Sequence, residues 1–264
     1  MTAVDTGLSD VAVDSTEFLA VVAARELAGA RRVFAGVGLP TLAVDLARRT
    51  HSPDIDLVYE SGVTGAAPEA MAEGIADSVL VSGAASVVSI GALFGYVLQG
   101  GHVDVGFLGA AQVDRWGSLN TSLIGDWERP TVRLPGGGGA PEIIANAGRC
   151  VVVMRRHDPG ALPAALDFCT SPSPARAHAE DPRLVPPGHG LATLITPLGV
   201  LRRPDPLGEL ELAQVHPGVR VDDVLAATGW PLRVAEDLTE TPRPAASDVR
   251  LLREEIDTVR LYLR

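Results

Sequence analysis

Short apolar segments alternate with helical patterns through residues 14–154 of this 264-residue chain. The segments are rich in branched residues and bounded by glycine or polar residues, which is typical of buried strands. They lie at residues 31–37, 55–59, 102–108 and 149–154. Strands that alternate with helices predict an α/β fold, in which an open, twisted and mainly parallel sheet is flanked by helices. A chain of this length can form one core, so we predict one domain over residues 14–264, after a loose tail at residues 1–13.

The ends of several elements carry local signals. Asp14 and Glu17 are spaced as a capping box, which predicts that a helix begins there. Pro141 follows a run of glycines, and proline in the first turn of a helix is a second start signal. The composition shifts toward Pro, Ala, Ser and His over residues 158–190, and the TSPSP segment at residues 170–174 predicts a loop. In the last quarter of the chain we predict strands at 191–195, 200–202 and 210–215, and helices at 221–227 and 248–256.

Composition excludes several classes of function. The net charge of −11 and the pI near 5.0 exclude a nucleic-acid partner, since phosphate binding needs a basic surface. The sequence contains no lysine, which excludes a lysine Schiff base and a Walker lysine. The six histidines lack metal-binding spacing, so we expect no metal site. Cys150 and Cys169 have no CxxC spacing, which predicts two reduced thiols.

One stretch, residues 79–98, has the length of a membrane span and contains no charged residue. Gly83, Gly91 and Gly95 divide it, however, into a strand, a glycine turn and a helix of small residues. No cluster of arginines flanks it, as a span would usually require. The N-terminus lacks the basic and apolar regions of a signal peptide. We therefore expect no membrane association and a cytoplasmic protein.

The most informative single residue is Glu60. The apolar segment 55–59 stops at this glutamate, and Ser61 and Gly62 follow as a turn. Open α/β sheets gather their chemistry at the carboxyl ends of their strands, where Glu60 is expected to lie. The alternative is an ordinary loop acid, since charged side chains are mostly exposed.

Two glycine motifs have competing interpretations. Gly36 and Gly38 could hold a phosphate, but a tight turn from strand to helix is the simpler interpretation, because a third glycine at the required spacing is missing. The same absence argues against a nucleotide-binding oxidoreductase. Gly136–Gly139 precede the helix predicted at Pro141, and helix N-termini bind anions, whereas a flexible loop is the alternative.

Beyond these single features, the sequence resembles a family. Seven motifs occur in the order and at the spacing of the β subunit of family I CoA-transferases, and the likeness to the glutaconate CoA-transferase type is greatest. They are GVGLP at Gly36, SPDI at Ser52, VYESG at Val58, GAAQVDRWGSLNTSLIGD at Gly109, GGGGA at Gly136, TSP at Thr170 and LLREEID at Leu251. The resemblance extends from about residue 16 to residue 257.

This resemblance implies the CoA-transferase-like fold and an α subunit as partner, in a heterodimer or a larger assembly such as α2β2. It implies coenzyme A and an acyl-CoA as substrates, with a carboxylic or dicarboxylic acid as acceptor. Glu60 maps onto the family's nucleophile, which forms a glutamyl-CoA thioester. Gly136, Gly137, Gly138 and Gly139 map onto the loop that faces the thioester carbonyl or CoA.

The walls of the site follow less directly from the resemblance. Ser61, Gly62, Gln112 and Asn120 are candidates for these walls, although Gln112 and Asn120 are equally suited to forming turns. Relatives of the family catalyse hydrolysis or decarboxylation of CoA thioesters, so a hydrolase or decarboxylase is the alternative function. A non-catalytic subunit is a further alternative, but it would have lost the nucleophile that Glu60 retains.

Overall fold

The computed structural model describes residues 13–184 and 187–263. The predicted tail at residues 1–13 lies, apart from Val13, outside the described residues. The division of the chain into this tail and one domain stays a prediction.

An eight-stranded sheet organises the fold. Its spatial order is β14-β13-β12-β11-β10-β5-β1-β2. Its strands are β1 (Arg32–Ala35), β2 (Asp56–Val58), β5 (Val105–Leu108), β10 (Arg149–Val153), β11 (Leu191–Ile195), β12 (Gly199–Arg202), β13 (Glu211–Val215) and β14 (Arg233–Glu240). Five of the seven neighbouring pairs are parallel, and only β12 runs antiparallel to both of its neighbours. The predicted open, mainly parallel α/β sheet is therefore confirmed.

Six shorter strands form three small two-stranded sheets around the large one. They are β3 (Val63–Thr64) with β4 (Ser86–Val87), β6 (Gln112–Val113) with β7 (Leu119–Asn120), and β8 (Leu123–Gly125) with β9 (Pro130–Arg133). The β8–β9 pair is antiparallel and forms a hairpin beside the carboxyl end of β5. All three small sheets lie between β2 and β10 in the sequence.

Helices cover both faces of the large sheet. They are α1 (Ser15–Arg25), α2 (Leu39–Thr50), α3 (Ile90–Ala92), α4 (Ala140–Asn146), α5 (Pro174–Glu180), α6 (Val221–Ala226) and α7 (Ala246–Leu251). At the start of α1, the Asp14 carboxylate accepts a hydrogen bond from the Glu17 amide at 2.9 Å, and Glu17 accepts one from the Asp14 amide at 3.0 Å. The predicted capping box is thus confirmed.

The core has two layers, one on each face of the sheet. In β1, Val33 and Ala35 belong to the layer beneath α1 and α2, whereas Phe34 belongs to the layer beneath α4. Successive side chains of a strand point to opposite faces, and here both faces are apolar. Burial on both sides explains why the parallel strands appear in the sequence as continuous apolar segments.

Two predictions for the later part of the chain were incomplete. Helix α5 was not predicted. It begins at Pro174, the last residue of the predicted loop, and Ser173 caps it by accepting a hydrogen bond from the Arg176 amide. Strand β14 was not predicted, because it carries four charged residues, Arg233, Glu236, Asp237 and Glu240, and lies at the edge of the sheet.

The uncharged residues 79–98 are divided at Gly83, as predicted, but the segment before this glycine is a 3₁₀ turn and not the predicted strand. A 3₁₀ turn at Ser78–Val81, strand β4, helix α3 and a π-helical turn at Leu93–Leu98 follow one another. In the described residues, every helix is too short or too polar to cross a bilayer. Both cysteines are free thiols, as expected.

Candidate active site

A cavity of about 340 Å³ lies at the carboxyl ends of β1, β2 and β5. Its walls include Gly36 after β1, Glu60 after β2 and Gly109 after β5, together with the loop that leads into α4. Loops at this edge of an open parallel sheet are the usual place for ligands. Glu60 is the one charged residue among the described residues that line the cavity, so its carboxylate faces a mostly apolar space.

A tight turn fixes Glu60 beyond the end of β2. The Tyr59 amide donates to the Val63 carbonyl at 2.9 Å, and the Gly62 amide donates to the Tyr59 carbonyl at 3.0 Å. Gly62 has a φ of 97°, a conformation that favours glycine. A β-carbon at Gly62 would lie 2.0 Å from the Val88 carbonyl oxygen. The glycine of the Glu-Ser-Gly motif thus lets the turn pack against residue 88 and present Glu60 to the cavity.

The glycine loop packs directly against the Glu60 carboxylate. A β-carbon on Gly138 would lie 3.4 Å from Glu60 Oε1 and 3.5 Å from Oε2. A β-carbon on Gly139 would lie 3.5 Å from Glu60 Cδ and 2.5 Å from the ring of Phe94. The structure therefore brings together the two motifs that the sequence singled out, and a side chain at Gly139 would collide with Phe94.

The backbone amides of this loop differ in whether they have a hydrogen-bond acceptor. The Gly136 amide donates to the Thr121 carbonyl at 2.8 Å, which anchors the start of the loop. Within residues 13–184 and 187–263, the amides of Gly137, Gly138 and Gly139 meet no hydrogen-bond acceptor. Backbone amides normally find a partner, so these three are available to a ligand oxygen.

The other predicted wall residues are placed differently. Ser61 is exposed, and neither it nor Gly62 contributes to the lining of the cavity. Gln112 and Asn120 are buried behind the cavity wall and pair across β6 and β7. The side-chain Nδ2 of Asn120 donates to Gln112 Oε1 at 2.8 Å, and the side-chain Nε2 of Gln112 donates to Asp167 Oδ2 at 3.1 Å. Contact of these four residues with substrate stays a prediction.

Asp167 explains what Gln112 and Asn120 do in the fold. The same Oδ2 atom that accepts from Gln112 also accepts from the Gly125 amide, at 2.9 Å. Gly125 ends β8, so the polar chain from Asn120 through Gln112 to Asp167 holds the β8–β9 hairpin against the 160–170 loop. We regard Gln112 and Asn120 as residues that position the wall formed by this hairpin.

Three residues beside the site were not predicted from the sequence as parts of it. Thr121 lines the cavity, and its buried hydroxyl has no hydrogen-bond partner in the described part of the chain. Thr170 accepts a hydrogen bond from the Thr121 amide at 3.0 Å and packs near Gly137. Phe94 packs against Gly139. Two quoted motifs were the available sequence signals: Thr170 opens the Thr-Ser-Pro motif, and Thr121 lies within the GAAQVDRWGSLNTSLIGD motif.

A buried polar pair lies behind the strand that carries Glu60. Burial raises the pKa of the Tyr59 hydroxyl above its usual range, and the nearby charge of Asp45 adds to this effect. Burial also raises the pKa of Asp45 to about 6, against the opposing effect of Arg48 and Arg49. Asp45 lies on α2, so this helix places a carboxyl group of raised pKa near Tyr59, the residue before Glu60. No set of three potential metal ligands clusters within the described residues.

Comparison with known proteins identifies the family. The sequence model of the family described as coenzyme A transferase matches residues 16–227. The β subunit of 3-oxoadipate CoA-transferase from Pseudomonas knackmussii is 41 % identical over 242 residues, covering 92 % of this chain and 93 % of the relative. The chain therefore belongs to the coenzyme A transferase family, as a family I β subunit, and it is an enzyme subunit of the transferase class.

Two further relatives define the range of the family. The crystal structure of glutaconate CoA-transferase from Acidaminococcus fermentans superposes with a TM-score of 0.85 at 27 % identity, covering 96 % of this chain and 98 % of the other. The IpdB subunit of a cholesterol ring-cleaving hydrolase from Rhodococcus jostii is 28 % identical over 93 % of both chains. The first confirms the predicted CoA-transferase-like fold, and the second shows that a hydrolase shares the sequence pattern.

Proposed function

We propose that this chain, joined to an α subunit, transfers coenzyme A from an acyl-CoA to a carboxylic acid through a thioester on Glu60. The observation that carries the proposal is the position of the Glu60 carboxylate beside the glycine loop, with Oε1 3.4 Å from where a β-carbon on Gly138 would lie. Glu60 lines one apolar cavity together with Gly137 and Gly139, whose amides have no acceptor in the described part of the chain. The relatives named transferases favour this function over decarboxylation.

The first half of the reaction forms the enzyme thioester. A Glu60 oxygen attacks the donor thioester carbonyl, the C–S bond breaks, and CoA thiolate leaves a mixed anhydride between Glu60 and the acyl group. The thiolate then attacks the glutamyl carbonyl carbon. The anhydride C–O bond breaks, the donor acid departs as a carboxylate, and glutamyl-CoA remains.

The second half reverses these steps with the acceptor acid. The acceptor carboxylate attacks the glutamyl thioester, expels CoA thiolate and forms a new anhydride. The thiolate attacks the acyl carbonyl of this anhydride, which releases the new acyl-CoA and restores the Glu60 carboxylate. A thioester is made for each one broken, and no proton needs to be transferred.

The glycine amides supply the charge stabilisation that each attack requires. Every attack turns a carbonyl oxygen into an oxyanion, and one preorganised donor is worth about 3 kcal/mol for such an oxyanion. Gly137, Gly138 and Gly139 offer three such donors beside Glu60. The apolar lining of the cavity strengthens these interactions, because it lowers the local dielectric.

The test uses the chain co-produced with its α subunit. We would incubate the complex with short acyl-CoA and dicarboxylyl-CoA donors, reduce it with borohydride and measure the mass of the peptide that contains Glu60. Reduction of Glu60 in the absence of an acceptor acid, and its loss when an acceptor acid is added, would support transfer. E60Q should abolish both labelling and transfer, whereas E69Q, a matched change at an exposed glutamate, should alter neither.

The same experiment separates the hydrolase and the decarboxylase. Consumption of the thioester with Glu60 unlabelled throughout, or at an unchanged rate in E60Q, would contradict the proposed mechanism. Labelled Glu60 that decays in water faster than it reacts with any acceptor would identify a hydrolase. Carbon dioxide release from a dicarboxylyl-CoA would identify a decarboxylase.

A further inference from the structure

The β8–β9 hairpin carries an aromatic surface, with Arg129, Arg133 and the acids Asp126 and Glu128 around it, that the transfer chemistry does not use. Trp127 in its turn stacks on Phe168, with ring centroids 5.1 Å apart and 25° between the ring planes. The guanidinium carbon of Arg133, at the end of β9, lies 5.3 Å from the centre of the Trp127 ring. Trp127 nevertheless keeps 55 % of its surface exposed. A supported and exposed indole of this kind can stack on a planar ligand.

The arginines of the hairpin are available to an anion. Within residues 13–184 and 187–263, neither Arg129 nor Arg133 forms an ion pair. The nearby acid Asp126 accepts hydrogen bonds from the amides of Glu128 and Arg129, at 2.8 and 3.3 Å. A guanidinium that rests beside an aromatic ring keeps its donors for phosphate oxygens, which it binds in a bidentate manner.

Two short stretches of chain connect this surface to the active site. Arg133 is bonded directly to Leu134, which lines the cavity. On the other side, Phe168 precedes Thr170 by two residues, and the Thr170 methyl group lies 3.1 Å from the β-carbon position of Gly137. The aromatic surface and the glycine loop are therefore neighbours along one wall, on the side of the cavity formed by the hairpin.

We propose that Trp127 and Arg133 bind the nucleotide end of coenzyme A. The indole stacks on adenine, and Arg133, with Arg129, binds phosphate oxygens, while the pantetheine arm follows the wall from Leu134 to Glu60. Stacking and guanidinium contacts are the usual means of holding a nucleotide without reading its base. The chain has a net charge of −11, so a polyanionic substrate needs local cations to approach it. This inference rests on the proposed function.

The test compares two donors in the complex with the α subunit. Acyl-CoA carries the nucleotide, and the acyl-pantetheine with the same acyl group lacks it. W127L and R133A should raise KM for acyl-CoA at least about fivefold and leave the reaction of acyl-pantetheine unchanged, since one stacked base is worth about 1–3 kcal/mol, or roughly 5-fold to 150-fold. W127F should retain most of the affinity.

The matched control for charge is R31A. Arg31 immediately precedes β1, at the amino end of the strand, whereas the site lies at the carboxyl end. Its side chain is 91 % exposed, so the variant removes the same charge far from the site. Its KM for acyl-CoA should match that of the wild type. An unchanged KM for acyl-CoA in W127L and R133A, or an equal loss with both donors, would overturn the proposal.

Two further measurements keep this test independent of the reaction. If W127L separates the subunits in size-exclusion chromatography with light scattering, the hairpin is a subunit contact and the proposal is wrong. If the wild-type complex shows no transfer with any donor, the proposed function fails, and calorimetric titration with adenosine 3′,5′-bisphosphate decides the subsite alone. Binding to wild type that W127L abolishes would support the subsite, and no binding to wild type would overturn it.

Discussion

Gly62 and Val88 approach each other so closely that a β-carbon on Gly62 would lie 2.0 Å from the Val88 carbonyl oxygen. The Val88 amide also donates to the Gly62 carbonyl at 2.9 Å, so the two backbones are joined where they touch. This contact fixes the turn that carries Glu60. The position of the proposed nucleophile therefore depends on a residue that takes no part in the reaction.

We expect G62A to displace this turn. The added methyl group meets backbone, which cannot move aside, and the φ of 97° is strained for alanine. The free energy of unfolding should fall by about 2 kcal/mol or more, and labelling of Glu60 by acyl-CoA should fall with it. G91A is the control, because Gly91 has no atom within 4 Å of its β-carbon position. Urea unfolding and borohydride labelling measure both effects, and a G62A protein with wild-type stability would contradict the expectation.

G138A should separate catalysis from stability. Gly138 has a φ of 48°, in the left-handed region, where alanine costs only about 1 kcal/mol. Its methyl group would lie 3.4 Å from Glu60 Oε1, in the space that a substrate carbonyl must occupy. We expect kcat to fall at least about tenfold, with little change in Tm. G74A, at a position with no neighbouring atoms, should leave both values unchanged. Equal kcat in G138A and wild type would exclude the glycine loop from the reaction.

His157 should make the protein less stable in mild acid. Burial lowers the pKa of His157 to about 4, and its two ring nitrogens bond to Thr196 and Thr228 hydroxyls at 2.7 and 3.0 Å. The folded state thus favours the neutral ring. The contribution of neutral His157 to the free energy of unfolding is complete above about pH 6.5, the pKa of an unfolded histidine, and is lost as pH falls to about 4.

The loss in acid should amount to at most about 3 kcal/mol. Urea unfolding of the wild type and of H157Q between pH 7 and pH 4 measures it, because only the wild type loses this contribution. H102Q should retain the wild-type pH dependence, since His102 is exposed. Parallel pH curves for wild type and H157Q would contradict the assignment.

Asp45 should have the opposite pH dependence. Burial raises its pKa to about 6, so the folded state favours the protonated acid. The contribution of protonated Asp45 to the free energy of unfolding is complete below about pH 4 and is lost as pH rises to about 6. D45N removes the charge, so we expect it to raise the free energy of unfolding at pH 8 by up to about 3 kcal/mol and to change it little at pH 4. D54N, at an exposed position, controls for the change in net charge. A D45N effect of equal size at about pH 4 and pH 8 would contradict the assignment of a raised pKa to buried Asp45.

The sequence predicted the elements that have a local or apolar signal. The capping box at Asp14 and Glu17 and the buried strands β1, β2, β5 and β10 were each predicted within a few residues. Strand β14 was missed because its outward side chains are charged, and an edge strand needs no continuous apolar segment. Its place in the sheet depends on pairing with β13, which local sequence does not encode.

The site divides in the same way. Glu60 and the glycine loop were predicted through the family motifs, and the structure brings them into contact. The polar chain from Asn120 through Gln112 to Asp167 was not predicted, since its members lie up to 55 residues apart and meet only in the folded chain. Thr121 lies within the quoted motif at residues 109–126, but the motif does not single it out. What distinguishes it is a hydroxyl without a hydrogen-bond partner among the described residues, which is a property of the packed structure alone.

The 167–170 segment has a mechanical consequence. Asp167 holds the β8–β9 hairpin through the Gly125 amide, and Thr170, three residues later, holds the Thr121 amide and packs near Gly137. The outer wall of the cavity and the glycine loop are thus clamped to the same few residues. A displacement of the hairpin is therefore transmitted to the loop beside Glu60, so that the wall and the loop are mechanically coupled.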